Sequence, residues 1–258
     1  MNRNGAMTSL TTIRGFKTTA SALVLAAAAL ATQPALAQDA EAPAEDTSIL
    51  GGELSGNVGF FTDYIYRGVT QTNNEAAIQG GIDWGHSSGF YVGAWGSNVD
   101  FNDGDQASIE VDVYAGFGGA FDALPALSYD VGAIYYWYPG ATKSLDYDFW
   151  ELYGSLGYDF DFLATSVGIA WSPEFFGDTG DAFYYQFGVE VPLPYDVSFA
   201  ANYNIQSFSE SAQDDYQDWN AGLGYSVWDL DLSLTYSQTE SLGADDNKAV
   251  TFGVGYAF

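Results

Sequence analysis

The sequence predicts an all-β protein: a transmembrane, antiparallel, up-and-down β-barrel of about twelve strands. Three observations carry that prediction. The last strand, Lys248 to Phe258, alternates strictly, with Val250, Phe252, Val254, Tyr256 and Phe258 on one face and Ala249, Thr251, Gly253, Gly255 and Ala257 on the other. The same period of two recurs along the chain, which is the mark of strands with two unlike faces. The connections between these segments are short and long by turns, as in bacterial outer-membrane barrels.

The N-terminal segment stands apart from the barrel. Arg3, Arg14 and Lys17 make a positive region, Ser21 to Leu30 is an apolar run rich in Ala and Leu, and Ala35-Leu36-Ala37 is a small-x-small cleavage site. This is the pattern of a secretory signal peptide over residues 1–37, and the run is too short to span a bilayer comfortably. The stretch 38–53 is rich in Ala, Glu, Asp and Pro and reads as a disordered acidic leader. The barrel is expected over 54–258.

Twelve segments carry the alternation, at roughly 55–67, 76–84, 90–99, 108–117, 127–138, 147–158, 163–171, 182–191, 196–206, 216–226, 230–237 and 248–258. Most have the length a tilted strand needs to cross a bilayer. Typical is Tyr129, Val131, Ala133, Tyr135 and Trp137 against Asp130, Gly132, Ile134 and Tyr136. A soluble sandwich would show the same period, but two features separate the cases. The apolar faces carry aromatics toward strand ends (Tyr129 and Trp137, Trp150 and Tyr158, Tyr256 and Phe258), as interfacial girdles do. The polar faces hold Gly, Ser and Asn and almost no lysine, whereas soluble sheets use lysine to protect their edges. The apolar face is therefore expected to meet lipid.

Short links at 85–89, 159–161, 192–195 and 228–229 take turns with longer ones at 68–75, 100–107, 139–146, 172–181, 207–215 and 239–247. One connection does not fit: Gly118 to Ala126 is long on the side where links should be short. If it conceals an error in the count, ten or fourteen strands are the alternatives.

Composition excludes several functions. Once the signal is removed, only Arg67, Lys143 and Lys248 remain against 34 acids, a formal charge of 3 − 34 = −31. Nucleic acid is excluded as a partner, because the cations that would release phosphate counterions are missing. No catalytic residues are predicted and the chain is not expected to be an enzyme: His86, the single histidine, lies in a short turn beside Ser87 and Ser88, and triad members meet through the fold, not as sequence neighbours. No cofactor or metal is expected. One histidine and no cysteine leave no zinc site, and the loop acids Asp103, Asp105, Asp178, Asp181, Asp214, Asp215, Asp245 and Asp246 lack the spacing of a calcium loop.

With the apolar face toward lipid, Asp63, Arg67, Asp83, Glu110, Asp112, Asp130, Glu151, Glu190 and Asp218 point into the lumen. Eight carboxylates face one guanidinium there, and rings of charge set ion selectivity, so a water-filled lumen should prefer cations. Arg67 is expected near the extracellular end of the first strand, with Asp63 or Asp83 as its partner. Twelve strands lie between the side-chain-filled eight and the open sixteen, and inward Tyr114, Tyr136, Tyr153 and Tyr184 are placed to narrow or close the bore. The expected function is passive diffusion of small solutes or cations across the outer membrane. The alternative is a non-conducting barrel with a structural or ligand-binding role through its acidic loops.

Two stretches carry a resemblance beyond pattern. Gly56-Asn57-Val58-Gly59-Phe60 through Asp63-Tyr64-Ile65-Tyr66-Arg67-Gly68-Val69, followed by Gln79-Gly80-Gly81 and Ser88-Gly89-Phe90-Tyr91-Val92-Gly93 to Ser97-Asn98-Val99, resembles the TorF-type porins, exported proteins of proteobacteria. The resemblance is strongest over 55–101 and implies an outer-membrane barrel more firmly than it implies transport. At the C-terminus, Thr251, Gly253, Tyr256 and Phe258 are similar to the terminal signal read by the barrel assembly machinery. Its physical basis is strand addition, in which main-chain pairing gives affinity and alternate aromatics give specificity. Outer-membrane lipid and lipopolysaccharide are the remaining expected partners.

Overall fold

The computed structural model describes residues 49–209, 213–242 and 246–258. The expected signal peptide (1–37), the leader up to residue 48, and Asp245 lie outside the described residues.

The chain forms a closed barrel of twelve antiparallel strands, each paired with its sequence neighbours. These are β1 (Gly52–Phe61), β4 (Ala77–His86), β5 (Phe90–Asn98), β6 (Ile109–Phe121), β7 (Leu124–Trp137), β8 (Phe149–Asp159), β9 (Ala164–Ser172), β10 (Ala182–Leu193), β11 (Val197–Phe208), β12 (Tyr216–Val227), β13 (Leu230–Glu240) and β14 (Lys248–Ala257). Between β1 and β4 a small hairpin, β2 (Ile65–Tyr66) and β3 (Val69–Thr70), stands apart from the wall. A 3₁₀ turn, Lys143–Leu145, sits in the loop before β8.

Closure joins β1 to β14, with Asn57 opposite Ala257 and Phe61 opposite Gly253. The terminal residue completes the seam: the Phe258 amide donates to the Gly56 carbonyl at 2.9 Å, and the Gly56 amide donates back at 2.8 Å. No strand of the wall is left with an unpaired edge, and this is how a sheet can satisfy its backbone without water.

Alternation decides the two faces. Ile78, Val113, Val131, Phe187, Leu234, Val250 and Phe252 are exposed around the outer wall, while Glu110, Asp112, Asp130, Glu151, Asn204, Asp218 and Thr239 are buried inside it. A continuous apolar belt outside and a polar interior invert a soluble protein's arrangement and suit hydrocarbon surroundings.

The misfit at 118–126 resolves as a hairpin. β6 and β7 run past their expected ends to pair Phe121 with Leu124, leaving only Asp122 and Ala123 in the turn, and the register shifts between Ala120 and Phe121. Gly118, Gly119 and Pro125 read as loop residues, but a bulge absorbs the irregularity while pairing continues. At the same end of the barrel, the β10–β11 turn places Tyr195 and Asp196 in the left-handed region, with φ of 70° and 57°, the conformation tight hairpin turns require. The long loops 62–76, 99–108, 138–148 and 173–181, and the described residues that follow β11 and β13, lie at the opposite end.

Candidate functional site

The first strand ends earlier than expected. It stops at Phe61, and residues 62–76 fold inward as a plug. Asp63 and Arg67 keep the inward polar parity, but Thr62 on the apolar face and Ile65 on the polar face break the alternation where the chain leaves the wall. The reversal comes from consecutive left-handed residues, Arg67 at φ 48° and Gly68 at φ 79°. Gly68 is required twice over, since a Cβ there would lie 2.5 Å from Thr239 Cγ2 and 2.7 Å from Asp218 Cβ.

Asp63 organises the base of the plug. Its Oδ1 accepts hydrogen bonds from the hydroxyls of Thr70 (2.7 Å) and Thr72 (2.9 Å). The Thr72 hydroxyl in turn accepts from the Tyr64 amide at 3.1 Å. The loop is thus braced internally, and one further bond, from the Asp100 amide to the Gln71 carbonyl at 2.8 Å, ties it to the 99–108 loop.

The tip of the plug is Arg67, which is 1% exposed. Its Nη2 donates to both oxygens of Glu151 on β8, each at 2.7 Å, and its Nη1 donates to Gln206 Oε1 on β11 at 2.8 Å. The guanidinium carbon lies 4.3 Å from the Tyr184 ring centre, 4.8 Å from Tyr66 and 5.3 Å from Phe175. Charge-assisted bonds and ring faces are the two things a guanidinium binds best. Around it, Tyr216 donates to the Arg67 carbonyl (3.2 Å), Asn247 Nδ2 to the Gly68 carbonyl (2.8 Å), and Tyr64 to Glu110 Oε1 (3.1 Å). The expected partners of Arg67, Asp63 and Asp83, are therefore replaced by Glu151, and Arg67 belongs to a loop and not to the first strand.

Aromatic side chains from three long loops close over the plug. Phe101 packs on Tyr138, Tyr147 and Phe176, with ring centres 5.3–5.6 Å apart, and Tyr147 stacks on Phe176 at 4.4 Å. The Tyr147 hydroxyl donates to Asp103, and burial together with that carboxylate raises its pKa above the ordinary tyrosine value.

Below the plug the interior opens. Along β8, Phe149 and Glu151 are buried while Tyr153 and Ser155 are partly exposed. Along β10 the order is Ala182 and Tyr184 buried, then Gln186, Gly188 and Glu190 partly exposed. Asp83 on β4 and Asn202 on β11 line the same space. The inward residues are thus buried toward the long-loop end, where the plug lies, and partly exposed toward the short-turn end, which gives the lumen the form of a cup.

The inward tyrosines divide into two sets. Tyr136 and Tyr184 sit with the plug and help to fill the upper lumen. Tyr114 and Tyr153, with Tyr91, lie flat on the wall, each over the glycine paired with it on the next strand: Gly93, Gly132 and Gly116. A Cβ at Gly116 would be 2.5 Å from the Tyr91 hydroxyl. Those rings pave the cup and do not cross it. Their hydroxyls meet the acids: Tyr91 donates to Asp130 (2.7 Å) and lies 2.6 Å from the Tyr153 hydroxyl, and Tyr114 donates to Asp83 (2.5 Å).

The eight carboxylates singled out from the sequence thus all face the interior, in three layers. Glu110, Asp112, Glu151 and Asp218 surround the plug tip, Asp63 is inside the plug, and Asp83, Asp130 and Glu190 line the cup. Asp112 is 2% exposed and its Oδ1 has no hydrogen-bond partner. Sequence reasoning missed Gln206, Asn204, Phe175 and Tyr66 as members of the site. Gln206 and Asn204 are recognisable on the inward face of their strand, but only the folded loop selects them. His86, expected in the short turn, is instead the last residue of β4, with Nδ1 2.9 Å from Ser88 Oγ and its ring stacked on Trp84, on the strand face opposite Asp83.

No curated protein matches this sequence. Among solved structures the KdgM porin superposes with a TM-score of 0.57 at 11% identity, over 79% of this chain and 99% of that one. A second structure, titled KdgM porin in complex with disordered oligogalacturonate, gives 0.53 at 8% identity, over 80% and 97%. Pseudomonas aeruginosa OpdQ gives 0.44 at 12% identity, over 82% of this chain and 69% of that one. At these identities the KdgM likeness establishes the shared barrel fold. The family match is by sequence: residues 44–254 fit the model of a bacterial protein family of unknown function, and the chain belongs to that family, Gcw_chp.

Proposed function

We propose that this protein is an outer-membrane diffusion channel for small solutes or ions, cation-preferring, whose outer half is held shut by its first loop. The observation that carries the reading is the inward face itself: of the predicted charged positions among the described residues, seven carboxylates stand on the wall, while the one guanidinium is borne by the plug, as is Asp63. Removing the plug would leave a lumen whose predicted charged positions are all acidic, and such a field raises the local concentration of cations. The resemblance of residues 55–101 to TorF-type porins and the KdgM-like barrel lean the same way.

The charge argument also separates this lumen from its structural neighbour's cargo. An oligogalacturonate is a chain of carboxylates, and it would meet repulsion here at every layer of the bore. Neutral or positively charged solutes fit the wall.

A second reading is favoured by the burial of the plug: a barrel that does not conduct and acts through its acidic loops. Planar-bilayer recording in a salt gradient discriminates between the two. The channel reading expects current in a plug-displaced variant, with a reversal potential on the cation side. Protein that inserts and stays silent with its plug deleted would establish the second reading instead.

A further inference from the structure

The cage around Arg67 is made mostly by the barrel and not by the plug. Glu151 on β8, Tyr184 on β10, Gln206 on β11 and Phe175 in the 173–181 loop hold the guanidinium, and of its ring neighbours only Tyr66 travels with the plug. Withdrawal of residues 62–76 would therefore leave a formed site on the wall. That site would hold a carboxylate, now 1% exposed, with no cation beside it. Asp112, which already lacks a partner for Oδ1, and Asp218 add like charge nearby. Breaking a buried pair by taking away one member strands the other charge, so an open lumen calls for a replacement cation.

The shape of that cation can be read from the bonds. Two terminal nitrogens are recognised, Nη2 by both Glu151 oxygens and Nη1 by Gln206, whereas Nε is buried with no acceptor. The flat carbon centre faces aromatic rings. A planar cation with two N–H-bearing nitrogens satisfies all of this. A compact ammonium has no flat face to stack and no fixed fork.

We propose that Arg67 stands in for the solute: the wall site formed by Glu151, Gln206, Tyr184 and Phe175 binds planar amidinium or guanidinium cations, which replace the Arg67 side chain when the plug withdraws. This inference rests on the lumen being a cation path and names the class of cation it takes. The acids of the cup, Asp130, Asp83 and Glu190, lie between the open end and the cage and lead toward it.

Arg67→Ala empties the cage and allows direct assay. Thermal unfolding of the purified variant is followed in ethylguanidinium, acetamidinium and ethylammonium chlorides at equal millimolar concentration and ionic strength. A ligand that binds only the folded state raises the midpoint in a saturable way. The two flat cations are expected to raise it equally, since the third nitrogen has no acceptor, and ethylammonium is expected to leave it unmoved. Adding Glu151→Gln should abolish the rise. Identical midpoints in all three salts would overturn the proposal. Should Arg67→Ala fail to fold alone, its refolding yield is read in the same three salts. Recovery with the flat cations alone supports the cage; recovery with none, or with all three alike, overturns it. Binding is read here without current, so a barrel that binds but never conducts defeats the channel reading only. A cation-selective barrel that ignores flat cations defeats the cage only.

Discussion

Arg67 and Glu151 are 84 positions apart in sequence, yet Nη2 of one lies 2.7 Å from both carboxylate oxygens of the other. This is the ion pair found among the described residues, and it pins the first loop to β8 with both side chains 1% exposed. Breaking a buried pair from one side costs about 3–5 kcal/mol. Glu151→Gln should therefore release the plug more than it harms the wall, because the strand pairing of β8 is untouched. The expected outcome is a barrel that still inserts and conducts more than wild type in planar-bilayer recording. Unchanged current, with protease protection of residues 62–76 retained, would mean that the pair does not hold the plug.

Gly68 offers an independent handle on the same element. With φ at 79° and Thr239 and Asp218 against its α-carbon, it has no room for a side chain. Gly68→Ala adds a left-handed penalty of about 1–2 kcal/mol to a steric clash with β12 and β13. Loss of plug seating should again appear as raised conductance, with the unfolding midpoint of the barrel little changed. A variant whose current and proteolysis pattern match wild type would refute the plug's tight seating.

Adjacent residues on β6 test which face meets lipid. Val113 is 49% exposed on the outer wall, and Asp112 is 2% exposed inside. Val113→Arg should lower folding stability in lipid by about 2–4 kcal/mol if it sits near the midplane. Asp112→Asn removes a charge that has no hydrogen-bond partner for Oδ1, so stability should hold or rise while the reversal potential of a plug-released barrel shifts toward weaker cation preference. Equal losses from urea titration at both positions would show the assigned facing to be wrong.

In the 99–108 loop, Asp105 accepts hydrogen bonds from Thr142, with the Thr142 amide 3.1 Å from Oδ1, and these bonds hold its pKa below the ordinary carboxylate value. A depressed folded-state pKa means that the contact contributes fully above the unfolded carboxylate value of about 3.9 and is lost as pH falls through the lower folded value. Hydrogen exchange at the Thr142 amide should accordingly be slow at neutral pH and accelerate, beyond its intrinsic dependence, in strong acid. Protection that persists there, or that survives in Asp105→Asn, would dissociate the loop contact from this carboxylate.

Much of the molecule was legible before folding. The period of two identified the twelve strands and their facing, since each side chain's side of the sheet depends only on parity. The carboxylates of the lumen followed from the same parity. The β6–β7 hairpin was not legible, because Gly118, Gly119 and Pro125 carry loop chemistry that a bulge accommodates inside continued pairing. Nor was the plug, because Asp63 and Arg67 share the polar parity of the strand before them and the break at Ile65 does not say where the chain goes.

The sequence alone therefore determined the barrel, a strand number of about twelve, and which side chains face in, all of which depend on local periodicity; the β6–β7 pairing then fixed the count at twelve. Only the tertiary structure decided that the bore is closed at one end, and by what. Closure depends on two left-handed residues, Arg67 and Gly68, reversing the chain into the lumen. It depends equally on Glu151, Gln206 and Tyr184 arriving from three different strands to receive the guanidinium. Contacts between residues so distant in sequence leave no period to read, because their energy exists only once the wall has closed around them.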